Sequence, residues 1–207
     1  FHCNVYIMKP WFPQTHGQVK YALAMRGPKP IVIVHGPAGT GKTLAACSYA
    51  VQQSKKIVLC RPLVSVDGEE LGSLPGDIGS KMAPWTRPAM AFLETQMTRA
   101  QLEQRVQIEP LGFMRGRTYE NSVVIADEMQ NASVSQFKML LTRLGYNTKL
   151  ILSGDVAQSD LRDTDNGLKR FVDDNSHLDL RWVQIVALDS SDICRHPAVE
   201  EILSLYR

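Results

Sequence analysis

Eight residues early in the chain have the types and spacing of a triphosphate cradle. The segment Gly36-Pro37-Ala38-Gly39-Thr40-Gly41-Lys42-Thr43 follows the apolar run 31–34 and precedes a helix-like segment. Glycines let consecutive backbone N–H groups turn toward the β- and γ-phosphates, and the following helix adds its positive N-terminal end. Lys42 is predicted to act catalytically on the terminal phosphates, and Thr43 to bind Mg²⁺. The pattern predicts a nucleotide triphosphate site; the alternative is a glycine-rich β-to-α turn with no ligand.

Two adjacent acids end a later apolar run, residues 123–126. Asp127 comes directly after this predicted strand, where nucleotide hydrolases place the carboxylate that binds Mg²⁺ through water. Glu128 is predicted to be catalytic, orienting or deprotonating the attacking water. A kinase has an acceptor hydroxyl and needs no water-activating acid here, so the pair favours hydrolysis. The alternative is an exposed acidic strand end without metal.

A third apolar run, residues 150–153, ends in Gly154 and Asp155, with Gln158 close behind. Parallel strands bring their carboxyl ends to one crevice, so these polar groups are predicted to face the same phosphate as Lys42. Gln158 is predicted to be a catalytic sensor of the γ-phosphate, and the alternative is a polar turn. Neither an NKxD nor a DxxG motif occurs, so ATP is favoured over GTP.

A parallel sheet is needed to position these groups, and the sequence predicts one. Six β-branched runs alternate with helical segments, which indicates an α/β fold with a mainly parallel sheet and helices on both faces. The predicted strands are 31–34, 57–60, 106–108, 123–126, 150–153 and 183–188, and the predicted helices are 43–54, 87–105, 133–144, 166–174 and 197–206. Ser133 or Ser135 is expected to cap the third helix and Gly145 to stop it. The glycine-punctuated stretch 61–85 is predicted to be a long loop.

The composition predicts one globular domain, residues 1–207, with 1–17 as a lead-in segment. The 207 residues are 44% hydrophobic and 21% charged, and no apolar stretch approaches the roughly 20 residues of a membrane helix. Four cysteines show no CxxC pair or zinc spacing, so reduced thiols and a cytoplasmic setting are expected. A net charge of +2 does not demand a nucleic-acid partner. The chain opens on Phe1 without an initiator Met or a signal sequence, as a piece of a longer protein would.

Together the motifs resemble the PhoH family, phosphate-starvation-inducible proteins related to the motor core of superfamily one helicases. Beyond the nucleotide motifs, the likeness rests on residues 61–62 (RP), 71–77 (LGSLPGD), 114–118 (MRGRT), 127–131 (DEMQN), 141–145 (LTRLG) and 195–197 (RHP). It implies a single RecA-like P-loop domain, ATP and Mg²⁺ as cofactors, and ATP hydrolysis. In some relatives it also implies RNA unwinding coupled to an attached nuclease domain. Neither that nuclease nor a second RecA-like domain is expected in these residues.

An arginine must therefore reach the γ-phosphate from elsewhere. Such an arginine contributes about 10³ to 10⁵ in turnover, roughly 4 to 7 kcal/mol. Arg195 is the leading candidate and Arg143 the second. We expect Arg195 to act catalytically on the ATP of a neighbouring subunit in a homo-oligomeric ring, a hexamer as the resemblance implies. The alternative for Arg195 is a surface ion pair with Asp192 or Glu200.

Cations and aromatic rings interleave around Arg115 and Arg117, which have Phe113 and Tyr119 nearby, as on surfaces that stack single-stranded bases. With Arg61, the two arginines are predicted to contact single-stranded RNA or DNA; a solvated loop is the alternative. The predicted function is an ATP-hydrolysing motor on single-stranded nucleic acid. A second class of function is a nucleotide-dependent assembly switch acting on a protein partner without strand displacement, and a kinase is a third.

Gln18 lies before the first strand, where helicase relatives place a glutamine against adenine, and it is predicted to bind the nucleotide base. Trp11, Phe12 and Tyr21 are candidates to cover the ring. The alternative for Gln18 is an amide on the surface of a helix.

Overall fold

A computed structural model of the chain describes residues 11–62, 78–159 and 165–194, and of residues 78–85 it describes the backbone alone. These ranges contain six α-helices and six strands. In chain order they are α1 (His16–Arg26), β1 (Ile31–His35), α2 (Lys42–Gln52), β2 (Lys56–Arg61), α3 (Ile78–Gln96), α4 (Arg99–Arg105), β3 (Val106–Pro110), β4 (Ser122–Ala126), α5 (Val134–Leu141), β5 (Lys149–Gly154), α6 (Gly167–Asn175) and β6 (Val183–Ala187). None of these helices is long and apolar enough to cross a membrane.

The six strands form one parallel sheet with the order β3-β2-β4-β5-β1-β6. Strands β1, β4 and β5 lie inside it and are almost continuously apolar, as expected where helices cover both faces of a sheet. The register places His35 opposite Gly154 and Ala126 opposite Leu152. The loops that follow these three strands therefore leave the sheet side by side at one edge.

Successive side chains of a strand point to opposite faces of the sheet, which builds two hydrophobic cores. Val32 of β1 shares one core with Tyr21 of α1 and Phe92 of α3. Ile33, the next residue, belongs to the other core together with Phe137 of α5. Burial of each large apolar side chain stabilises the fold by about 1.5–3 kcal/mol. The predicted α/β class, a RecA-like parallel sheet with helices on both faces, is confirmed.

The single helix predicted over 87–105 is wrong, because the chain forms α3 and α4 with a break before Thr98. The Thr98 hydroxyl accepts from the backbone N–H of Gln101, and the Gln101 side chain accepts from the backbone N–H of Thr98. This capping box starts a new helix. Helix α3 begins at Ile78, so the last part of the predicted loop 61–85 is helical. Residues 63–77 and the predicted helix 197–206 lie outside the described residues.

The helix predicted over 133–144 is shorter at its carboxyl end. Ser133 caps α5 as expected, but the last helical residue is Leu141 and Thr142 is its C-cap. The role predicted for Gly145 is therefore wrong. A Cβ atom at Gly145 would lie 2.4 Å from the carbonyl oxygen of Tyr119, so this position has no room for a side chain.

Helix α1 has no counterpart among the predicted helices. Thr15 begins it by accepting a hydrogen bond from the backbone N–H of Gln18. Its buried side chains, Tyr21 and Met25 among them, pack into the same core as α2 and α3. This packing places the start of α1 next to the loop that precedes α2.

Candidate nucleotide-binding site

The loop between β1 and α2 has the backbone geometry of a phosphate cradle. Three of its glycines have positive φ angles, 148° at Gly36, 86° at Gly39 and 79° at Gly41. Residues with a side chain rarely adopt this conformation. At Gly36 there is also no space, because a Cβ atom would lie 2.3 Å from the carbonyl oxygen of Leu188. The glycines are therefore required by the shape of the loop itself.

The N-terminus of α2 is open to an anion. Its N-cap is Gly41, and no side chain of the described residues caps the first turn. The N–H groups of a first turn have no partner within the helix, and they carry the positive end of the helix dipole. Lys42 is the first helical residue, and its Nζ donates to the carbonyl oxygens of Gly36 at 2.6 Å and Pro37 at 2.8 Å. The Lys42 side chain thus lies over the phosphate loop, and its ammonium group binds the loop's carbonyl oxygens where it would otherwise bind a triphosphate.

Asp127 lies opposite Thr43, as the sequence predicts. Its Oδ2 accepts from the Thr43 hydroxyl at 2.7 Å, and its Oδ1 accepts from the Ser153 hydroxyl at 2.7 Å and the Glu128 backbone N–H at 3.1 Å. A carboxylate and a hydroxyl oxygen are ligands that Mg²⁺ prefers. The pair therefore fits a magnesium ion bound at the start of α2. Ser153, which is fully buried at the end of β5, was missed by the sequence analysis.

Glu128 has a left-handed backbone, with φ 56° and ψ 38°, a strained conformation for a residue with a side chain. One of its carboxylate oxygens, Oε2, accepts from the Gln130 amide at 2.5 Å. The Oε1 atom of the same Gln130 side chain accepts from the backbone N–H of Asp155 at 3.1 Å. Gln130 is 3% exposed and links the predicted catalytic acid to the loop after β5. Sequence reasoning missed it, although it stands two residues after Glu128.

The groups predicted from separate motifs border one cavity of about 360 Å³. It is lined by Ala38, Gly39, Gly41, Lys42, Thr43, Leu44, Pro88, Asp127, Glu128, Gly154, Asp155 and Gln158. Gln158 is exposed, and its backbone N–H donates to the carbonyl of Asp155 at 3.1 Å. Two wider cavities, of about 590 and 750 Å³, contain none of the predicted nucleotide-binding or catalytic residues. The nucleotide site that the sequence predicts therefore corresponds to the cavity of about 360 Å³.

His35, at the end of β1, is not a second cation for this loop. Burial lowers its pKa below the usual range, and the nearby Lys42 ammonium lowers the pKa further. The imidazole is therefore neutral near pH 7.

Gln18 is buried, with 2% of its surface exposed, so the interpretation as a helix-surface amide is wrong. Its Oε1 accepts from the backbone N–H of Gln14 at 2.8 Å, and its Nε2 donates to the carbonyl of Thr40 at 3.2 Å. The amide thus ties α1 to the phosphate loop. Trp11 lies beside the same loop, since a Cβ atom at Gly41 would be 3.3 Å from its Nε1. Base recognition by Gln18 stays a prediction.

Two aromatic candidates for the base are placed differently. Tyr21 is 1% exposed within a hydrophobic core, so it does not cover a ring in the nucleotide site. Phe12 is 67% exposed.

Among the predicted nucleic-acid contacts, Arg115 is exposed and Arg117 is held by the protein. Arg117 forms an ion pair with the buried carboxylate of Glu109, which also accepts from the Tyr119 hydroxyl. Tyr119 is 8% exposed, so it is not the stacking surface that the sequence suggests. Phe113, two residues before Arg115 in the sequence, is 57% exposed. These two side chains remain as the predicted cation and aromatic pair.

The other predicted arginines occupy different places. Arg61, at the end of β2, lines a cavity of about 130 Å³ that Asp127 and Glu128 also line. Arg143 follows α5, and its guanidinium donates to the carbonyl oxygens of Met139 and Arg117. Arg195 lies outside the described residues.

Comparison with known proteins gives a consistent family. A family model described as PhoH-like protein matches residues 12–207. A PhoH-like protein of Bacillus subtilis is 40% identical over 204 residues, which are 93% of this chain and 63% of that protein. Protein PhoH of Escherichia coli is 34% identical over 214 residues, covering 95% of this chain and 58% of that protein. The chain thus spans about three fifths of the length of these two relatives.

Two solved structures of Bacteroides Pif1 align with 92% of this chain and 45% of theirs. One, in complex with ADP-AlF4, is 17% identical with a TM-score of 0.41. The other, bound to single-stranded DNA, is 16% identical with a TM-score of 0.42.

Proposed function

The chain belongs to the PhoH-like protein family, and we propose that it binds ATP with Mg²⁺, hydrolyses it, and couples hydrolysis to single-stranded RNA or DNA. One observation carries the proposal. The phosphate loop, the pair Asp127 and Glu128, and Gln158 come from three separate stretches of sequence and border the same cavity. A bare glycine-rich turn does not require a metal-binding acid, a water-activating acid and a sensor glutamine around it.

Each residue of the site has a separate part in hydrolysis. Lys42 leaves its two carbonyl partners and binds the β- and γ-phosphates, together with the N–H groups at the start of α2. Thr43 and Asp127 would hold Mg²⁺, which neutralises charge on the phosphates when bound. Glu128 accepts the proton of the attacking water at its carboxylate, which Gln130 orients. Gln158 contacts the γ-phosphate and responds to its loss.

Glu128→Gln and Lys42→Ala test hydrolysis separately from binding. Because a general base contributes about 10² to 10⁴ in rate, we expect Glu128→Gln to lower kcat by at least 100-fold while ATP still binds. Lys42→Ala should lose binding as well. The exposed Glu120 provides a matched control, and Glu120→Gln should leave both unchanged. Wild-type turnover in Glu128→Gln would contradict the assignment of Glu128.

Coupling to nucleic acid is tested at Arg115. We expect single-stranded RNA to stimulate ATPase activity, and Arg115→Ala to weaken RNA binding and reduce its salt slope by about 1. Arg99→Ala is the control, because Arg99 is exposed and paired only with Glu103 among its described contacts. No stimulation at low salt would contradict this coupling. A wild-type chain that displaces no strand but changes its assembly on binding ATP, with the same change in Glu128→Gln, would instead favour an assembly switch, which needs nucleotide binding but no turnover.

The proposed ring is tested by mixing inactive variants. If Arg195 acts on a neighbour's ATP, Arg195→Ala subunits keep an intact phosphate loop and Lys42→Ala subunits keep the arginine. A mixture should then recover part of the activity that each variant lacks alone. In wild type, the rate per subunit should rise with protein concentration. If the mixture recovers no activity and the wild-type rate per subunit does not change with concentration, Arg195 does not act between subunits.

The free, buried thiols of Cys47 and Cys60 support the expected reducing, cytoplasmic setting.

A further inference from the structure

A buried carboxylate joins α1 to the segment after β6. Asp192 is 3% exposed and ends a short 3-10 turn, Ser190–Asp192. Its Oδ1 accepts from the Thr15 hydroxyl and from the backbone N–H of Gly17 at 3.1 Å. Its Oδ2 accepts from the backbone N–H of Asp189 at 3.0 Å. Within residues 11–62, 86–159 and 165–194, no cationic side chain forms an ion pair with it.

The N-terminus of α1 compensates this charge. Two of the carboxylate's donors, the Thr15 hydroxyl and the Gly17 N–H, belong to the start of the helix, where the helix dipole favours an anion. The position of Asp192 also dictates the residue at 17. A Cβ atom at Gly17 would lie 2.3 Å from Asp192 Oδ2, so a larger residue would push the carboxylate away. A buried charge without these donors would destabilise the junction.

The same junction reaches the phosphate loop. The Gln18 amide nitrogen donates to the carbonyl of Thr40 at 3.2 Å and lies 3.4 Å from the carbonyl of Asp192. Two residues after Asp192, the backbone N–H of Cys194 donates to the carbonyl of Gly39 at 3.1 Å. The start of α1, the segment 192–194 and the phosphate loop therefore meet at one point.

Three residues of this junction, Gln18, Asp192 and Cys194, are not part of the lining of the phosphate cavity. Asp127 and Glu128 line the cavity for the phosphates, whereas neither Gln18 nor Trp11 lines it. If the γ-phosphate faces Asp127 and Glu128, as the proposed function requires, the nucleoside end of ATP leaves the loop in the direction away from these acids. Gln18 and Trp11 lie beside Gly41 of the loop. We propose that Asp192 is a positioning residue that holds this wall, so that it sets the affinity for the nucleoside part of ATP and not the rate of hydrolysis. The inference rests on the proposed function.

Asp192→Asn tests the idea by comparing ATP with tripolyphosphate, which has no nucleoside. The asparagine amide nitrogen would face the backbone N–H of Asp189, which in the wild type donates to the Asp192 carboxylate. Two donors would then face each other, which should weaken the hydrogen bonds that hold the junction together. We expect the Kd of ATP to rise at least tenfold, the Kd of tripolyphosphate to stay within twofold, and kcat at saturating ATP to stay within twofold. Asp174→Asn is the control, because the Asp174 side chain is exposed on α6, where it pairs with Arg170.

Variants at Thr15 separate positioning from folding. Thr15→Val removes a donor to Asp192 and should weaken ATP binding in the same direction, whereas Thr15→Ser keeps the hydroxyl and should bind like wild type. An unchanged ATP Kd in Asp192→Asn, or an equal loss for ATP and tripolyphosphate, would overturn the inference. Because Kd is measured without turnover, a wild-type chain that binds ATP but does not hydrolyse it would contradict only the proposed function. A wild-type chain that binds no ATP would overturn both.

Discussion

Ser153→Ala removes one hydroxyl from the site, and its effect follows from the bonds of Asp127. The Ser153 hydroxyl donates to Asp127 Oδ1 at 2.7 Å from a fully buried position, while Thr43 donates to Oδ2. A hydrogen bond to a charged group contributes about 1.5–3 kcal/mol. At about 1.4 kcal/mol per tenfold change, its loss corresponds to roughly 10- to 100-fold in metal affinity. The same range is typical for groups that orient a metal ligand.

The assay is the ATPase rate as a function of free Mg²⁺. We expect the half-saturating Mg²⁺ concentration to rise by about 10- to 100-fold in Ser153→Ala, with kcat at saturating Mg²⁺ close to wild type. Alanine fits the space of serine, so no cavity is left, and the free energy of unfolding should fall by no more than about 2 kcal/mol. Ser54→Ala, at an exposed serine after α2, is the control.

One result would refute this reasoning. A half-saturating Mg²⁺ concentration within twofold of wild type, in a variant with ordinary ATPase activity, would mean that Ser153 does not orient Asp127. An equal fall in kcat at every Mg²⁺ concentration would point to catalysis and not to metal binding.

Three further predictions concern the loop, the catalytic acid and the far end of the sheet. Gly36→Ala should lower the free energy of unfolding by at least about 1–3 kcal/mol and abolish ATP binding, because Gly36 has a positive φ and a Cβ atom there would collide with the Leu188 carbonyl. Urea titration measures the stability, with Gly112→Ala as the control, because a Cβ atom at Gly112 meets no atom within 4 Å. Equal stability of the two variants would contradict the prediction. Gln130→Met should lower kcat by about tenfold or more with an unchanged ATP Kd, because the Glu128 carboxylate loses its orienting donor; an unchanged kcat would exclude this role. Burial lowers the pKa of Lys149 from 10.5 in the unfolded chain to about 8 in the folded protein. Between pH 8 and 10.5 the unfolded state therefore binds more protons than the folded state, and the free energy of unfolding rises with pH. Urea midpoints across that range should rise less in Lys149→Met than in wild type, and parallel curves would contradict the assignment.

The sheet was predictable because its signals are local. Apolar runs bounded by polar turns are typical of strands wherever they occur, and all six predicted runs became strands of the one parallel sheet. The phosphate loop was equally predictable, because its glycines are required by positive φ angles and, at Gly36, by the close approach of the Leu188 backbone. The position of Asp127 followed from the strand that it ends.

Helix ends were less predictable, because competing local signals decide them. Thr98 forms a capping box that splits residues 87–105, and nothing in the apolar pattern distinguishes this break from a continuous helix. Gly145 resembles a helix stop by its type alone. Glycine is needed at position 145 because the Tyr119 carbonyl, which is distant in sequence, leaves no room for a side chain.

By itself, the sequence predicted the chemistry that we propose for the site: a phosphate loop, a magnesium carboxylate and a water-activating acid, each from a few consecutive residues. The tertiary structure alone decided what holds these groups. Ser153 orients Asp127, Gln130 joins Glu128 to the loop after β5, and Asp192 anchors the start of α1. The physical reason is that a buried polar group must find a partner wherever the fold brings one, and its distance along the chain carries no information about that partner.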